Sequence, residues 1–370
     1  MLPLDADYDE IVVKRFSLLT DPSDPHTSHY ALYDLAQLRP GEDHFTHFYK
    51  AARLCLVTPS HPRVSSELVE STESLASHTP ALLEALSPNA VLLTQISGRL
   101  ADHTTYSILA TQGTGYSPTE ATEAALTGFN HLEAYTDQHP SLRLAPVPTT
   151  LAREVFDSLS SLTSLAAITG LDDSSGDILT RSMPAVTGPF ALVTVVVPMR
   201  PDDLSGPYRA TLRQLSSLPQ RTRSISLTDP PAPSRHARHD LARMIRAAEL
   251  DVTLEHYLAG VRHGAYLFQM YALTDSSEDL NTLARVLVFS KPDSVLSSKD
   301  PLAPGAYSPV TLNPLAVTTQ FHPDEQMRLL THARALTSFR RPERDPDAVE
   351  PFAYSTFATS QEMAPYIHLP

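Results

Sequence analysis

The chain has 370 residues, of which 42% are hydrophobic and 19% charged, and these near-average values exclude a wholly disordered protein. Its net charge of -14 argues against a strong direct grip on nucleic acid, because phosphate binding needs clustered positive charge. The single cysteine, Cys55, excludes an intrachain disulfide and a cysteine metal cage.

The sequence also bears on cellular location. The N-terminal stretch is acidic and lacks the basic start and apolar core of a signal peptide. No uninterrupted apolar run approaches the roughly 18 residues that a transmembrane helix needs. We therefore expect a cytoplasmic protein without a transmembrane segment, which would lie peripheral to a membrane complex only through partners.

The first half of the chain mixes strand and helix patterns. Residues 8–19 predict a strand, and residues 45–57 are compatible with either a helix or a strand. Leucine spacing predicts a helix over 64–86, interrupted at Pro80. Residues 89–110 predict a β-hairpin, because two apolar runs flank a polar turn.

A well-marked helix start follows this hairpin. Ser117 is suited to be the N-cap, Pro118 occupies the first helical position, and Glu120 lies three residues after the cap. We therefore expect a helix through about residue 136. A strand at 141–146 and a helix at 149–167 complete this half.

The second half contains a continuous β-branched run at 188–198, which predicts a strand buried on both faces. Helical patterns at 236–261 and before Phe289 enclose a second strong strand pattern at 264–274, and residues 321–336 return to helix. This order is typical of a split βαβ arrangement. The sequence therefore predicts an α+β or α/β fold, with central mixed sheets flanked by helices and ferredoxin-like elements.

Breaks in these patterns suggest a division into domains. Pro146 and Pro148 interrupt both strand and helix, so we place a boundary there. The expected organisation is an N-terminal α+β domain at 1–148, a second α+β domain at 149–340, and a linker with a junction helix at 341–370.

Searches for catalytic or binding motifs give no catalytic residue and no cofactor site. Gly113 and Gly115 precede the capped helix, where phosphate can meet helix amides, but the third glycine of a dinucleotide fingerprint and a glycine-lysine pair are missing, so structural capping is favoured. The best metal candidates are His44 and His47, beside two carboxylates at 42 and 43, without a zinc-protease pattern. Cys55 lies between leucines and is expected to be a buried apolar residue.

The closing residues 359–370 predict a newly capped helix that runs to the end of this sequence. Thr359 and Glu362 have the spacing of a capping box, in which the hydroxyl accepts from one amide and the carboxylate from the other. Such a segment is expected to lead into something larger.

Two segments carry a resemblance to a known family. The first contains Thr169-Gly170, an acidic loop, a short Asp177 to Arg181 helix with Pro184 after it, and the strand at 190–198. The second is the closing segment, with Thr359 or Ser360, Glu362, Ala364, His368 and Pro370 at the characteristic positions. Their order resembles the region upstream of the motor core in HerA-like and conjugation-type (type IV secretion) P-loop ATPases.

This resemblance implies a noncatalytic accessory region that helps a DNA or protein translocase to assemble or to dock partners. The implied partner is a P-loop ATPase core, in cis or as a separate chain, and the implied state is a homo-oligomer when joined to it. Two alternatives stay open: a stand-alone scaffold or interaction protein, and a metal-dependent hydrolase with an unrecognised site.

Overall fold

The computed structural model describes residues 10–38, 44–59, 78–139, 142–170, 178–218, 235–289, 315–337 and 355–367. These residues form an α+β fold in which helices flank one open sheet of 12 strands. The predicted fold class is therefore confirmed.

The strands are, in chain order, β1 (Glu10–Asp21), β2 (Asp24–Leu38), β3 (Thr46–Pro59), β4 (Leu93–Arg99), β5 (Thr105–Gly115), β6 (Leu142–Ala145), β7 (Val147–Pro148), β8 (Ser164–Thr169), β9 (Phe190–Met199), β10 (Ala265–Thr274), β11 (Ala316–Thr318) and β12 (Thr356–Thr359).

The α-helices are α1 (His78–Leu86), α2 (Pro118–Gln138), α3 (Thr149–Ser161), α4 (Ile178–Ser182), α5 (Pro201–Ser217), α6 (Arg235–His263), α7 (Ser277–Phe289), α8 (Pro323–Arg334) and α9 (Ser360–Met363), with 3-10 turns at Ser87–Asn89 and Ala364–Tyr366.

The strand pairing reveals two units of the same topology. In the first unit, β3-α1-β4-β5-α2-β6, the strands lie in the order β6-β3-β5-β4. In the second, β8-α4-β9-β10-α7-β11, they lie in the order β11-β8-β10-β9, with α5 and α6 inserted before β10. Every described pairing is antiparallel, so β3 runs parallel to β4 with β5 between them. Each unit is thus ferredoxin-like, with the predicted split βαβ arrangement.

The two units join edge to edge through β4 and β9. Leu93 pairs with Val196, Ile96 with Val193 and Arg99 with Phe190, so each strand occupies the equivalent position in its own unit. This places the units around an approximate two-fold axis. The pairing makes the sheet continuous across the predicted domain boundary at residue 148, and that boundary stays a prediction.

The two faces of the sheet are covered differently. The helices α1, α2, α4 and α7 pack on one face, which we call the helical face, through a cluster that includes Leu83, Leu132 and Leu283. The opposite face, which we call the second face, packs against α3 and α8, where Val155 and Leu329 contact the sheet core. Both faces are therefore buried over the middle of the sheet, as the β-branched run in β9 predicts.

Most predicted elements are present, with shifts at their ends. The strand at 188–198, the hairpin at 89–110 and the helix capped by Ser117 are confirmed, and so is the strand at 8–19 from residue 10, where the described residues begin. Residues 45–57, compatible with helix or strand, form most of β3. Of the helix predicted over 64–86, only residues from 78 onward lie in the described part of the chain.

One predicted helix extends too far. The helix expected over 149–167 ends at Ser161, and the following residues form β8. Leu165, Ala166 and Ile168 are fully buried between β10 and β11, so the burial of this apolar run in the sheet outweighs its moderate helix propensity.

The β4–β9 junction depends on a close approach of two backbones at Gly98. A Cβ atom on Gly98 would lie 2.1 Å from the Phe190 carbonyl oxygen and 3.0 Å from the Ala191 Cα. Both obstacles are backbone atoms, which cannot rotate away. The adjacent Arg99 reinforces the junction by donating to the carbonyls of Met183 at 3.3 Å and Gly188 at 3.1 Å.

We predict that Gly98→Ala lowers the free energy of unfolding by about 2 to 3 kcal/mol, because the two units must separate locally to admit the methyl group. Urea denaturation measures the effect. Gly206→Ala, within α5, is the control, since no atom outside the adjacent backbone of its own helix lies within 4 Å of its Cβ position. Its expected change is within about 1 kcal/mol. Equal effects of the two substitutions would contradict the close-approach explanation.

Candidate functional site

The closing segment folds back onto the second unit. In β12, Thr359 pairs with Ala265 and Thr356 with Phe268, so the segment joins the sheet beside β10. The predicted helix is shorter than expected in the described residues, because a single turn, α9, passes into the 3-10 turn Ala364–Tyr366. Pro365 lacks an amide hydrogen and restricts the residue before it, which explains this change. His368 and Pro370 lie outside the described residues.

The predicted capping box is present. The Glu362 amide donates to Thr359 Oγ1 at 3.4 Å, and Glu362 Oε2 accepts from the Thr359 amide at 2.8 Å and from its hydroxyl at 2.8 Å. Ala364, the next residue of the predicted junction motif, is the C-cap of α9. The box therefore fixes the direction in which the chain leaves β12.

A histidine that the sequence analysis did not connect to this segment completes the network. His256, on α6, places Nε2 2.6 Å from Glu362 Oε2, and its ring meets the Phe357 ring edge-on at 4.8 Å. The Ser360 hydroxyl donates to the His263 carbonyl at 2.5 Å. Helix α6 and the closing segment are thus joined at two points, which lie about two helical turns apart on α6 and two residues apart on the closing segment.

Glu362 is partly buried, and opposing effects act on its pKa. Desolvation by burial is the largest effect and raises the pKa. The hydrogen bond and charge of His256 and the two hydrogen bonds from Thr359 together outweigh it, so the pKa of Glu362 lies below its ordinary value of 4.5. The carboxylate is therefore the stable form when the segment is docked.

The two segments that carry the family resemblance are in contact. The Gly170 amide donates to Thr356 Oγ1 at 2.7 Å, and the Tyr366 hydroxyl donates to the Gly170 carbonyl at 2.9 Å. Gly170 has a φ of 86°, a left-handed conformation that favours glycine. From β9, the Thr194 hydroxyl donates to the Tyr366 carbonyl at 3.5 Å. The Thr-Gly turn, strand β9 and the closing segment thus form one hydrogen-bonded site, which we call the junction site.

Apolar burial also holds the junction site in place. Met363, Tyr366 and Ile367 are each at most 2% exposed and belong to the core of the helical face. The Tyr366 ring lies 4.4 Å from the ring of Phe268. Burying an aromatic side chain and two aliphatic ones contributes several kcal/mol to docking, which is more than the polar contacts supply.

The weak metal candidates lie at the start of β3. His47 Nε2 is 3.0 Å from Lys14 Nζ, so a cation lies beside this ring nitrogen. His44 is exposed, and the predicted carboxylates at 42 and 43 lie outside the described residues. Within the described ranges, no three histidine, cysteine or carboxylate side chains form a group able to hold a metal ion.

Gly113 and Gly115, for which the sequence favours structural capping over phosphate binding, are residues of β5. A Cβ on Gly113 would lie 2.2 Å from the Ala125 amide nitrogen, and one on Gly115 would lie 2.4 Å from the Glu120 Cβ. These glycines therefore allow α2 to pack directly on the strand. The start of α2 is also capped internally, because Ser117 accepts from the Glu120 amide and the Glu120 carboxylate accepts from the Tyr116 amide. A carboxylate at this helix start repels phosphate, so a packing role for the two glycines is favoured over phosphate binding.

A buried lysine, Lys50, was not predicted from the sequence. Lys50 is 1% exposed, and its ammonium nitrogen contacts the carbonyls of Ala335 and Leu336, just after α8. Gln112 donates to the same Leu336 carbonyl at 2.9 Å. Burial lowers the pKa of Lys50 well below its ordinary value. The available signal for a special role was a lysine within an otherwise apolar strand pattern. Its hydrogen-bond partners show that Lys50 caps the C-terminal end of α8.

Comparisons with known proteins give no relative on which to base a function. No family model matches the chain, and no curated protein matches it. Among the helices of the described residues, none is both long enough and apolar enough to cross a membrane.

The pKa of Glu362 gives a pH-dependent prediction. Because its folded pKa lies below the unfolded one, the carboxylate stabilises the fold above about pH 4.5, and this contribution is lost as the pH falls through the folded pKa. We predict that Glu362→Gln costs about 1 kcal/mol at pH 6 and less at pH 3.5, as measured by urea denaturation.

A double-mutant cycle with His256→Phe tests the partner. The two substitutions are expected to couple at pH 6, with a combined cost below the sum of the separate costs. Glu133→Gln, on the exposed surface of α2, is the matched control and should be neutral at both pH values. Additive costs at pH 6, or an equal cost of Glu362→Gln at both pH values, would show that the His256–Glu362 contact does not stabilise the docked segment.

Proposed function

We propose that this chain is a noncatalytic accessory region of a HerA-like or secretion-type translocase ATPase, acting in ring assembly or partner docking. The observation that carries the proposal is the junction site. Two segments about 190 residues apart, which resemble the pre-motor region of these ATPases in their order, meet through the hydrogen bond from the Tyr366 hydroxyl to the Gly170 carbonyl. Thr356, just before the closing segment, adds a second bond by accepting from the Gly170 amide. Two segments without a shared structural role would have no reason to be in contact, so their contact supports the resemblance.

The geometry of the junction site supports an assembly role. The capping box, the His256 contact and the buried Tyr366 hold the closing segment in one direction relative to the sheet. A motor domain attached beyond residue 367, or a separate motor chain bound there, would inherit this orientation. Fixed orientation is what an accessory region must supply if protomers are to be arranged regularly around a ring.

The groups that invite a catalytic interpretation already have structural partners. Gly113 and Gly115 admit the backbone of α2, and Lys50 binds two carbonyls at the end of α8. The one acidic side chain of the junction site, Glu362, is engaged by Thr359 and His256. We therefore place chemistry in the partner, a P-loop ATPase core in cis or in a separate chain.

The proposal predicts a specific partner. Affinity-tagged chain expressed from its own locus should recover a P-loop ATPase carrying a Walker A lysine, as identified by mass spectrometry. The two proteins are then purified separately and mixed. Mass photometry should show a joint oligomer, and the ATPase rate should change in the complex, whereas the accessory chain alone should hydrolyse no ATP above buffer.

Variants of the junction site provide the control for this experiment. Tyr366→Phe removes the hydrogen bond to Gly170 and retains the ring, so it should weaken the joint oligomer while leaving far-UV circular dichroism unchanged. Tyr116→Phe, whose side chain is 64% exposed on the first unit, should have no effect. A monomeric chain that recovers no P-loop ATPase would instead favour the stand-alone scaffold, and ATP hydrolysis by the chain alone would contradict a noncatalytic role.

A further inference from the structure

The edge of the sheet beyond the first unit carries an open apolar groove. Strand β1 is the terminal strand of the sheet, and no described strand pairs with its outer edge. Between β1, α3 and α8 lies a cavity of about 520 Å³, whose walls include Val13, Phe156 and Leu159. A second depression of about 360 Å³ continues along β1 to the start of α3. Phe16 and Phe156 line both, with ring centroids 5.0 Å apart.

Apolar side chains are concentrated on the surface at this groove. Val12 is 39%, Phe16 38% and Met327 62% exposed, and all three line the larger cavity. Isolated exposed apolar residues are common, but adjacent ones around a cavity mark interaction sites. The volume is sufficient for one or two large side chains of a partner.

The groove also contains an unsatisfied polar group. Tyr33, which is 2% exposed, lines the larger cavity, and its hydroxyl has no hydrogen-bond partner in the described part of the chain. A buried hydroxyl without a partner is costly, and a group entering the cavity could satisfy it. This observation points to an occupant independently of the exposed apolar surface.

Two exposed arginines line the groove on a chain whose net charge is -14. Arg328 lies at the rim on α8, and Arg153 lines the smaller depression on α3. Neither forms an ion pair within the described residues. Asp157 is the one carboxylate lining the smaller depression. The rim therefore favours a negatively charged occupant.

We propose that this groove binds a short extended segment of a partner protein, in which large apolar side chains alternate with or are flanked by carboxylates. The outer edge of β1 offers backbone hydrogen bonds to an extended chain, the cavity accepts an apolar anchor, and the arginines select the acidic residues. The inference deepens the partner-docking role proposed above and names the chemistry of the docked segment.

A second copy of this chain fits the edge less well. Antiparallel pairing of two β1 edges would bring Lys14 and Arg15 of one copy toward those of the other, and like charges across strands are destabilising. The register of β1 also shifts between Val13 and Arg15, which limits regular edge pairing to a short run. The like charges disfavour self-association and leave an acidic partner strand acceptable, whereas the register shift limits any partner to a short paired segment.

The test is selection from a phage library of random 12-residue peptides on the intact chain. Enriched peptides should contain a large apolar residue next to Asp or Glu. A synthetic, fluorescein-labelled copy of the most enriched peptide is then titrated by fluorescence anisotropy. Arg328→Glu and Met327→Asp should each weaken binding about tenfold or more, and added salt should weaken it further.

Arg285→Glu, the same charge change on the opposite face of the sheet, is the matched control and should leave binding unchanged. Urea midpoints of all three variants establish that they fold. Several results would overturn the proposal: no enrichment, enriched peptides without acidic residues, binding insensitive to both groove variants, displacement of the peptide by submillimolar decanoate, or a dimer in sedimentation that Arg328→Glu dissociates. Recovery of a P-loop ATPase by affinity purification would not support the groove proposal. Failure of the peptide experiment would leave the proposal at the junction site unchanged.

Discussion

The antiparallel pairing of β4 with β9 is the constraint on which the rest of the structure depends. Each ferredoxin-like unit alone would leave its β4 or β9 edge exposed, and an exposed, apolar strand edge invites aggregation. Joining the two edges buries both and creates one long sheet. The close approach at Gly98 and the bonds from Arg99 to the Met183 and Gly188 carbonyls then bind the second unit to the first.

A continuous sheet has a second face that must also be covered. The helices of the two βαβ units all lie on the helical face, so additional elements are needed opposite them. Helices α3 and α8 provide this cover over the first unit, and α5 and α6 pack beside β10 through Leu204 and Tyr257. Lys50 and Gln112 fix the end of α8 by binding the Leu336 carbonyl. The buried Lys50 thus holds α8 against the second face of the sheet, and its lowered pKa is a consequence of that burial.

The sequence was sufficient to predict elements whose signals are local. The cap at Ser117, the β-branched run of β9 and the box at Thr359 and Glu362 are each specified within a few residues, and each is present. Their order also favoured the ferredoxin-like arrangement. Signals that depend on distant contacts were not available: the strand at 164–169 requires β10 and β11 as neighbours, and the partners of Lys50 lie about 285 residues away.

The same distinction applies to the candidate sites. The capping box of the closing segment could be predicted from the sequence. Its docking could not, because His256 and Gly170 are distant in the chain and contact this part of it only in the folded structure. The groove beside β1 left no motif, since its walls come from β1, β2, α3 and α8, and the two helices are far from the two strands in the chain.

The positions of the two sites limit how they could work together. The groove lies along β1 at the edge of the sheet beyond the first unit, whereas the junction site lies beside β10 of the second unit, where β12 joins the sheet. Six inter-strand spacings separate β1 from β10, which corresponds to about 29 Å at about 4.8 Å per spacing. Two partners of moderate size could therefore bind at once without competing. A motor held at the junction site would leave the β1 groove open to an acidic segment, so one sheet could connect two different proteins.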